Sequence, residues 1–548
     1  MTPPTNNRLV RTGLQSRHYM QHQSVPAPVN GEVHRSPRKP LRVMKFGGTS
    51  VGDASAIKKV VEIVRSAARE SHVVVVVSAM SGVTNKLVAA SNQAEAGDYQ
   101  PVAATFGELR RQHDTAADAL IHSAAERSRI RRKVEEIVQE GDRLCRGTML
   151  LGELTPRTRD AISSLGERLS APLVAAVLAE HGVMSQAIEA TELVVTDSCH
   201  GAADPVMDLT RERCQSSLHP LLDQGIVPVV TGFIGATTEG VLTTLGRGGS
   251  DYSATILGAA LNADEVIIWT DVDGLQTADP RLVTGGRTIP EISYREAAEL
   301  AYFGAKVLHP KTLRAVMQYG IPLWIRNTFA SELPGTKITP SGPPSAAGVK
   351  ALTAISDVAM ITVGGPGLSG VQDVLGRTFR TAAAVRADVL LISQASSQND
   401  LCLVIASALG KSMVEALRHE FAHDLAHEPA YESTKHIALD LSVAMVTVVG
   451  QKMRSVPGAV GRTFGALGRE NVNIVAIAQG ATDCTISFVV AKNDVKAALA
   501  GIHQEFRLGN PQGAEAIGGN VANGSVVAED DNYYPPCAAV EATRQPEP

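Results

Sequence analysis

The chain has 548 residues, 44% of them apolar and 20% charged, with a formal net charge of −5. That length holds roughly three or four domains, and the apolar share supports large cores rather than broad disorder. The mild negative charge argues against a general nucleic-acid binder, and no run of about 18 apolar residues suggests a membrane span.

Residues 1–40 are polar and rich in Arg, His and Pro, with Glu32 the only acid, so a disordered tail is expected. Pro3, Pro4, Pro26 and Pro28 argue against the amphipathic helix of a transit peptide. From Leu41 to about Ile325 strands and helices alternate. Strands are predicted at Arg42–Phe46, His72–Ser78, Met184–Glu189, Val227–Phe233, Glu265–Trp269 and Leu323–Arg326. Helices are predicted at Ala54–Glu70, Thr84–Gln93, Thr158–His181, Tyr252–Leu261 and Pro310–Tyr319. Such alternation predicts a mostly parallel sheet covered on both faces. Residues 103–150 read as a charged helical excursion, and Phe233–Thr244, with Gly235 and Glu239-Gly240 between apolar runs, as a β-hairpin. The segment Ser341–Gly348 punctuates the chain as a linker.

Beyond the linker there is an internal repeat. Met360-Ile-Thr-Val-Gly-Gly returns as Met445-Val-Thr-Val-Val-Gly, Gly376-Arg-Thr-Phe379 as Gly461-Arg-Thr-Phe464, and Leu391-Ile-Ser-Gln394 as Ala476-Ile-Ala-Gln479, always 85 residues on. Two copies of one small α+β module are expected, at 349–430 and 438–508. Residues 510–548 carry Gly, Asn, Pro and acids and read as a second disordered tail. The six cysteines form no CxxC pair, which fits reduced thiols and a cytoplasmic setting. Cys199-His200 lacks the partner motif of a metal site.

Chemistry concentrates in two glycine loops. Lys45-Phe46-Gly47-Gly48-Thr49-Ser50 follows an apolar run and precedes a helical pattern starting near Asp53. Adjacent glycines let backbone come close to a ligand, and a helix N-terminus and a lysine favour an anion such as phosphate. Gly246-Arg247-Gly248-Gly249-Ser250-Asp251 likewise opens a helix. Two such loops point to a phosphate-handling enzyme.

Taken in order, these stretches resemble the aspartate kinases of the amino-acid kinase superfamily. The match includes Lys45–Val51, Ser78-Ala-Met-Ser-Gly-Val-Thr-Asn85, Gly166-Glu-Arg168, Thr243–Tyr252, Trp269-Thr-Asp-Val-Asp-Gly274, Ala278-Asp-Pro-Arg281 and Gly304-Ala-Lys-Val-Leu-His-Pro310. The repeated module resembles the tandem ACT domains of that family. The resemblance implies a three-layer α/β amino-acid kinase fold over 41–340 with a mostly parallel central sheet, followed by two α+β, ferredoxin-like ACT domains.

It also implies roles. Lys45, Asp251 and Lys306 would be catalytic. Thr84, Glu167, Arg247, Gly248, Gly249 and Ser250 would hold L-aspartate, Arg247 by its planar fork and Glu167 by accepting from the ammonium. Lys45, Gly47, Gly48, Thr49, Ser50, Thr270, Asp271, Gln276, Arg281, Lys306 and Val307 would meet ATP. The alternatives are an N-cap for Thr84 and a surface ion pair for Glu167. Gln276 stands where the family usually has tyrosine, which would remove stacking area beside the nucleotide. The implied reaction is phosphoryl transfer from ATP, with Mg2+, to the side-chain carboxylate of aspartate. No protein metal site is implied, since the ion would come with ATP.

Gln394, Asn399 and Gln479 are the candidate effector contacts, because an amide can both donate to a carboxylate and accept from an ammonium. The stretches around Gln394 and Gln479 look most like the threonine-responsive, homoserine-dehydrogenase-linked branch, so threonine is favoured over lysine. With about 40 residues after Phe506, no dehydrogenase domain is expected here. A homodimer or homotetramer through the ACT domains is implied, with no nucleic-acid or membrane partner. Two readings compete: a kinase of another small carboxylate, which the tandem modules disfavour, and a non-catalytic amino-acid sensor, which the presence of Lys45, Arg247 and Asp251 disfavours.

Overall fold

The structure, a computed structural model, describes residues 39–304, 307–345, 348–364, 371–394, 401–422, 436–479 and 483–509. Both expected tails fall outside the described residues, apart from Lys39 and Pro40, and so do the candidates Lys306 and Asn399.

The first part contains β1 (Leu41–Phe46), β2 (His72–Val77), β3 (Ser185–Ile188), β4 (Val227–Thr231), β5 (Ile234–Ala236), β6 (Leu242–Thr244), β7 (Glu265–Thr270), β8 (Glu291–Ser293), β9 (Leu323–Asn327) and β10 (Thr336–Thr339). The expected hairpin is β5 with β6. The other eight strands form one sheet in the order β3-β4-β2-β1-β7-β9-β10-β8. Pairing is parallel from β3 through β9, and β10 runs antiparallel to β9.

The valine run in β2 shows why the sheet is buried on both faces. Val73, Val75 and Val77 point into one core, and Val74 and Val76 into the other. Strand side chains alternate between faces, so a continuous β-branched run needs cover on both. One layer holds the helices Ala54–Glu70, Val83–Glu95, Tyr99–Leu120, Ala124–Leu151 and Leu165–Glu180, and the other holds Met207–Asp223, Gly249–Leu261 and Pro310–Tyr319. Ala54–Glu70 has the expected bounds. Asp53 caps it by accepting from the Ala56 amide at 2.9 Å, and Ile57, Val60, Val61 and Val64 form its buried stripe.

Two expectations change. The predicted helix Thr158–His181 is two helices, Pro156–Ser163 and Leu165–Glu180, meeting at Ser164, whose hydroxyl donates to the Ala161 carbonyl at 2.7 Å. Such local side-chain bonds compete with the helix ladder. The run Pro156–Glu180 is also long and apolar enough by composition to cross a membrane, contrary to the sequence reading, but 83% of its most apolar window is buried inside the fold. Its apolar surface is used as core.

After the linker come β11 (Val349–Ile355), β12 (Val358–Gly364), β13 (Leu391–Gln394), β14 (Leu401–Ala406), β15 (His436–Asp440), β16 (Val443–Gly450), β17 (Ile474–Ala478) and β18 (Thr485–Ala491). They form two antiparallel sheets, β13-β14-β12-β15 and β11-β16-β18-β17. The sequence copies are therefore exchanged at their leading strands: β11 pairs with β16 of the second copy, and β15 pairs with β12 of the first. A boundary near residue 430 separates the repeats but not the sheets. The sheets pack on each other through Val358, Leu391, Val404, Met445, Ala476 and Val489.

The two parts are joined by more than the linker. Ala278 and Val283, from the loop after β7, are buried in the same core as Val446, Phe488 and Ile502. Thr277 Oγ1 lies 3.1 Å from His503 Nε2, and Arg287 Nε donates to the Leu508 carbonyl at 2.8 Å. On β11, Lys350 makes a buried ion pair with Glu296 at 2.8 Å.

Candidate active site

β1 lies between β2 and β7, so the crevice beyond its C-terminal end is where the connections diverge to either side. Ligands of open α/β sheets bind in such crevices. The Gly47 amide donates to the Trp269 carbonyl at 3.1 Å and the Ser78 amide to the Phe46 carbonyl at 3.1 Å, which fixes the three strand ends together. Above them opens a cavity of about 690 Å³.

Lys45 reaches this cavity from β1 while its neighbours Met44 and Phe46 turn into the core. Its Nζ lies 2.5 Å from Asp251 Oδ1, and both side chains are largely buried. A Cβ on Gly48 would stand 3.0 Å from the Ala79 carbonyl, so a side chain there would crowd the opposite wall. Gly248 has φ +71°, and a Cβ on it would fall 2.7 Å from His309 Cβ. Only glycine adopts that turn without strain.

The helices Val83–Glu95 and Gly249–Leu261 start at the cavity wall from Gly82 and Gly248, and neither has a side-chain cap. Their first N–H groups and positive dipole ends suit an anion. The sequence had pointed to the helix opened by Gly246–Asp251, which is one of these two, and to the helix after Asp53, which is not. That helix is capped by Asp53 itself, and its first turn is not part of the cavity wall.

Glu167 is 3% exposed and lines the cavity. Burial pushes its carboxyl up to about 8, opposed by backbone amides, Lys45 and Ser250. Its Oε2 has no hydrogen-bond partner among the described residues. The surface ion-pair alternative for Glu167 therefore fails. The ion pairs belong to the adjacent Arg168, which binds Glu140 at 2.7 Å and Glu189 at 3.1 Å. Thr84 is not an N-cap either, since Gly82 occupies that position.

Of the sequence candidates, Lys45, Gly47, Gly48, Thr49, Thr84, Glu167, Arg247, Gly248, Gly249, Ser250, Asp251, Thr270 and Asp271 all line this one cavity. Ser50, Gln276, Arg281 and Val307 do not. Ser50 is buried, with its hydroxyl 2.7 Å from that of Thr328. Gln276 bridges to Thr288, the exposed Arg281 pairs with its neighbour Asp279 at 2.6 Å, and Val307 packs on the core.

Sequence reasoning missed Asp160. It is 3% exposed and accepts from Thr244 Oγ1 at 2.6 Å, the Gly201 and Thr244 amides at 3.1 and 3.2 Å, and His200 Nδ1 at 2.8 Å. One carboxylate thus ties the helix Pro156–Ser163 to the loop around Gly201 and to β6, which leads into Arg247. His200 is engaged here, and no cluster of metal-ligating residues occurs among the described residues. Replacing Asp160 with alanine strands buried donors and should destabilise the fold by about 3 kcal/mol. A urea midpoint shift worth less than about 1 kcal/mol would show that the network does not anchor this wall.

Residues 40–327 match the amino acid kinase family, and 446–506 match an ACT domain. The chain is 30% identical over 477 residues to aspartokinase 3, chloroplastic, of Arabidopsis thaliana, covering 87% of this chain and 83% of that one. The chain belongs to the aspartokinase family. It is also 35% identical to the bifunctional aspartokinase/homoserine dehydrogenase 1, chloroplastic, of Arabidopsis thaliana, over 85% of this chain but 51% of the relative. This aspartokinase-family chain thus spans about half the length of the bifunctional relatives it matches. Among solved structures it resembles E. coli aspartokinase III in complex with aspartate and ADP (R-state), with 29% identity, a TM-score of 0.71 and coverage of 85% of this chain and 100% of that one. The same E. coli protein in complex with lysine and aspartate (T-state) superposes with a TM-score of 0.69, at 29% identity and over 85% and 99% of the two chains. The expected fold class, a kinase sheet followed by ACT-type sheets, is the one an aspartokinase has.

Proposed function

We propose that the chain transfers the γ-phosphoryl group of ATP to the side-chain carboxylate of L-aspartate, giving 4-phospho-L-aspartate and ADP. The observation that carries this is the buried Lys45–Asp251 pair, set in the same cavity as the Glu167 carboxyl, whose Oε2 has no hydrogen-bond partner among the described residues, and Arg247. The aspartate and ADP bound by E. coli aspartokinase III support the same pair of ligands here.

In this reading Arg247 takes a carboxylate through its fork and Glu167 takes the ammonium. One oxygen of the side-chain carboxylate bonds to the γ-phosphorus as the bond to the bridging oxygen breaks, and ADP leaves with that electron pair. A carboxylate is ionised at neutral pH, so no general base is required. Lys45 and the backbone N–H groups at Gly48, Gly82 and Gly248 hold the charge that spreads over the phosphoryl oxygens. Asp251 keeps the Lys45 ammonium in place. Magnesium, entering with the triphosphate, would neutralise part of its charge. The wall carboxylates Asp251 and Asp271 suit an ion that arrives this way.

We infer that the ACT pair carries amino-acid feedback. Gln394 and Gln479 are exposed at equivalent strand ends, next to the half-exposed Ile392, Val475 and Ile477. That apolar rim supports pairing of two copies into a homodimer. Threonine is favoured from the sequence, and lysine, present in the E. coli T-state structure, is the rival. The product would enter the aspartate-derived pathway to lysine, threonine and methionine. The free, buried thiols of Cys145 and Cys214, both pushed up to about 12 by burial, support a reducing compartment such as the cytoplasm, whereas the two plant relatives are named chloroplastic.

The test is ADP release with MgATP and L-aspartate, with hydroxylamine to trap the acyl phosphate, repeated with threonine and with lysine. Aspartate-dependent release with a trapped hydroxamate is expected. Release that ignores aspartate would overturn the reading.

A further inference from the structure

Nearly every ionised group around the cavity has a partner within the protein. Lys45 pairs with Asp251, Asp160 has its four donors, and Asp271 accepts from Thr270 Oγ1 at 3.2 Å. Among the described residues, three groups on the wall stand apart: Glu167 Oε2, Arg247 and Arg159. Arg159 is exposed, and no carboxylate of the described residues lies within ion-pair distance of it.

Arg159 is not a loosely placed surface cation. It precedes Asp160 in the helix Pro156–Ser163, which starts from a Thr155 cap and Pro156. The Asp160 carboxylate anchors that turn to Gly201 and Thr244. A guanidinium fork is thereby carried on a fixed backbone, lining the same cavity as the loop that carries Arg247. Arg157, also exposed and on the same helix, is absent from the wall.

One buried acceptor and two unpaired forks are complementary to a molecule with one ammonium and two carboxylates. We propose that Arg159 is a second carboxylate-binding residue of the amino-acid pocket, holding one carboxylate of the dicarboxylic substrate while Arg247 holds the other. This rests on the phosphoryl-acceptor reading above and adds the residue that separates a dicarboxylic amino acid from a monocarboxylic one. Arg159 binds and orients. The transferred group stays with Lys45.

The experiment is steady-state ADP release by the full chain, varying L-aspartate at saturating MgATP and then the converse, for the wild type and for Arg159→Ala, Arg159→Lys and Arg157→Ala. Arg159→Ala is expected to raise KM for aspartate at least tenfold, with KM for ATP within about twofold and kcat within about threefold. Arg159→Lys keeps the charge but not the fork, and should recover part of the loss. Arg157→Ala should match the wild type. An unchanged KM for aspartate in Arg159→Ala overturns the proposal, and so does a rise confined to KM for ATP, which would move Arg159 to the phosphates. A wild type without aspartate-dependent turnover overturns the proposed function instead. Calorimetric titration of the wild type and Arg159→Ala with L-aspartate then decides the role of Arg159 separately: tenfold weaker binding in the variant upholds it, and equal or absent binding in both rejects it.

Discussion

Lys45→Met should lower kcat for ADP release by roughly 10²–10³-fold while KM for aspartate and ATP each move by less than about tenfold. The lysine is on a strand, its side chain is nearly buried, and its ammonium is 2.5 Å from Asp251. A cation held this firmly needs no rearrangement when phosphoryl charge develops, and such preorganisation acts mainly on the transition state. Methionine keeps the length and apolar packing, so folding should persist, and circular dichroism checks this. If kcat stayed within tenfold of the wild type, Lys45 would be reduced to a partner for Asp251 and the phosphoryl group would have to sit elsewhere.

Glu167→Gln should have opposite effects on binding and on stability. Loss of the charge-assisted contact to the substrate ammonium should raise KM for aspartate on the order of 100-fold. The same change should stabilise the fold at alkaline pH. The carboxyl is raised from an ordinary 4.5 to about 8 by burial, so the folded chain holds this proton over a range where the unfolded chain has released it. The unfolded state binds fewer protons there, and stability falls as pH rises from about 4.5 to about 8. The cost is absent below that window and complete above it. The glutamine variant should therefore melt higher than the wild type at pH 8.5, with the gap closing toward pH 4.5. In the wild type, KM for aspartate should fall as pH rises toward 8, because in the proposed site it is the ionised form of Glu167 that receives the ammonium. A variant that melts lower than the wild type across the whole range would mean that the site does not strain this carboxyl.

The sheet was legible because its signals are local. The valine run of β2, the cap and stripe of Ala54–Glu70, and the Gly240 turn between β5 and β6 each declare themselves within a few residues. The helix Met207–Asp223 escaped notice because its buried positions are Thr210, Cys214, Leu218 and Leu222, with only two aliphatics, and because Pro220 lies inside it. β8 and β10 are three and four residues long, too short for a period to show. Of the candidate site, the glycine loops and their flanking charges were readable because the spacing is contiguous. Asp160 was not, since its four donors come from segments 40 to 84 residues away and only the fold brings them together. The exchange of β11 and β15 is invisible in the repeat for a related reason: both copies carry the same pattern, and nothing in the pattern says which partner each leading strand chooses.

The burial of Ala278 and Val283 among the side chains of the second ACT sheet bears on how this protein could be taken apart. Cutting at the linker would strip those two residues of their surroundings and leave the Thr277 and Arg287 contacts to His503 and Leu508 unmade. It would also orphan a buried ammonium and carboxylate at Lys350 and Glu296, a loss far costlier than an exposed pair. The amino acid kinase domain and the ACT sheets are thus not separable cassettes. A chimera that grafts a foreign ACT pair onto this amino acid kinase domain must carry the matching 275–288 loop with it, and a recombination point chosen from the repeat alone would fall in the wrong place.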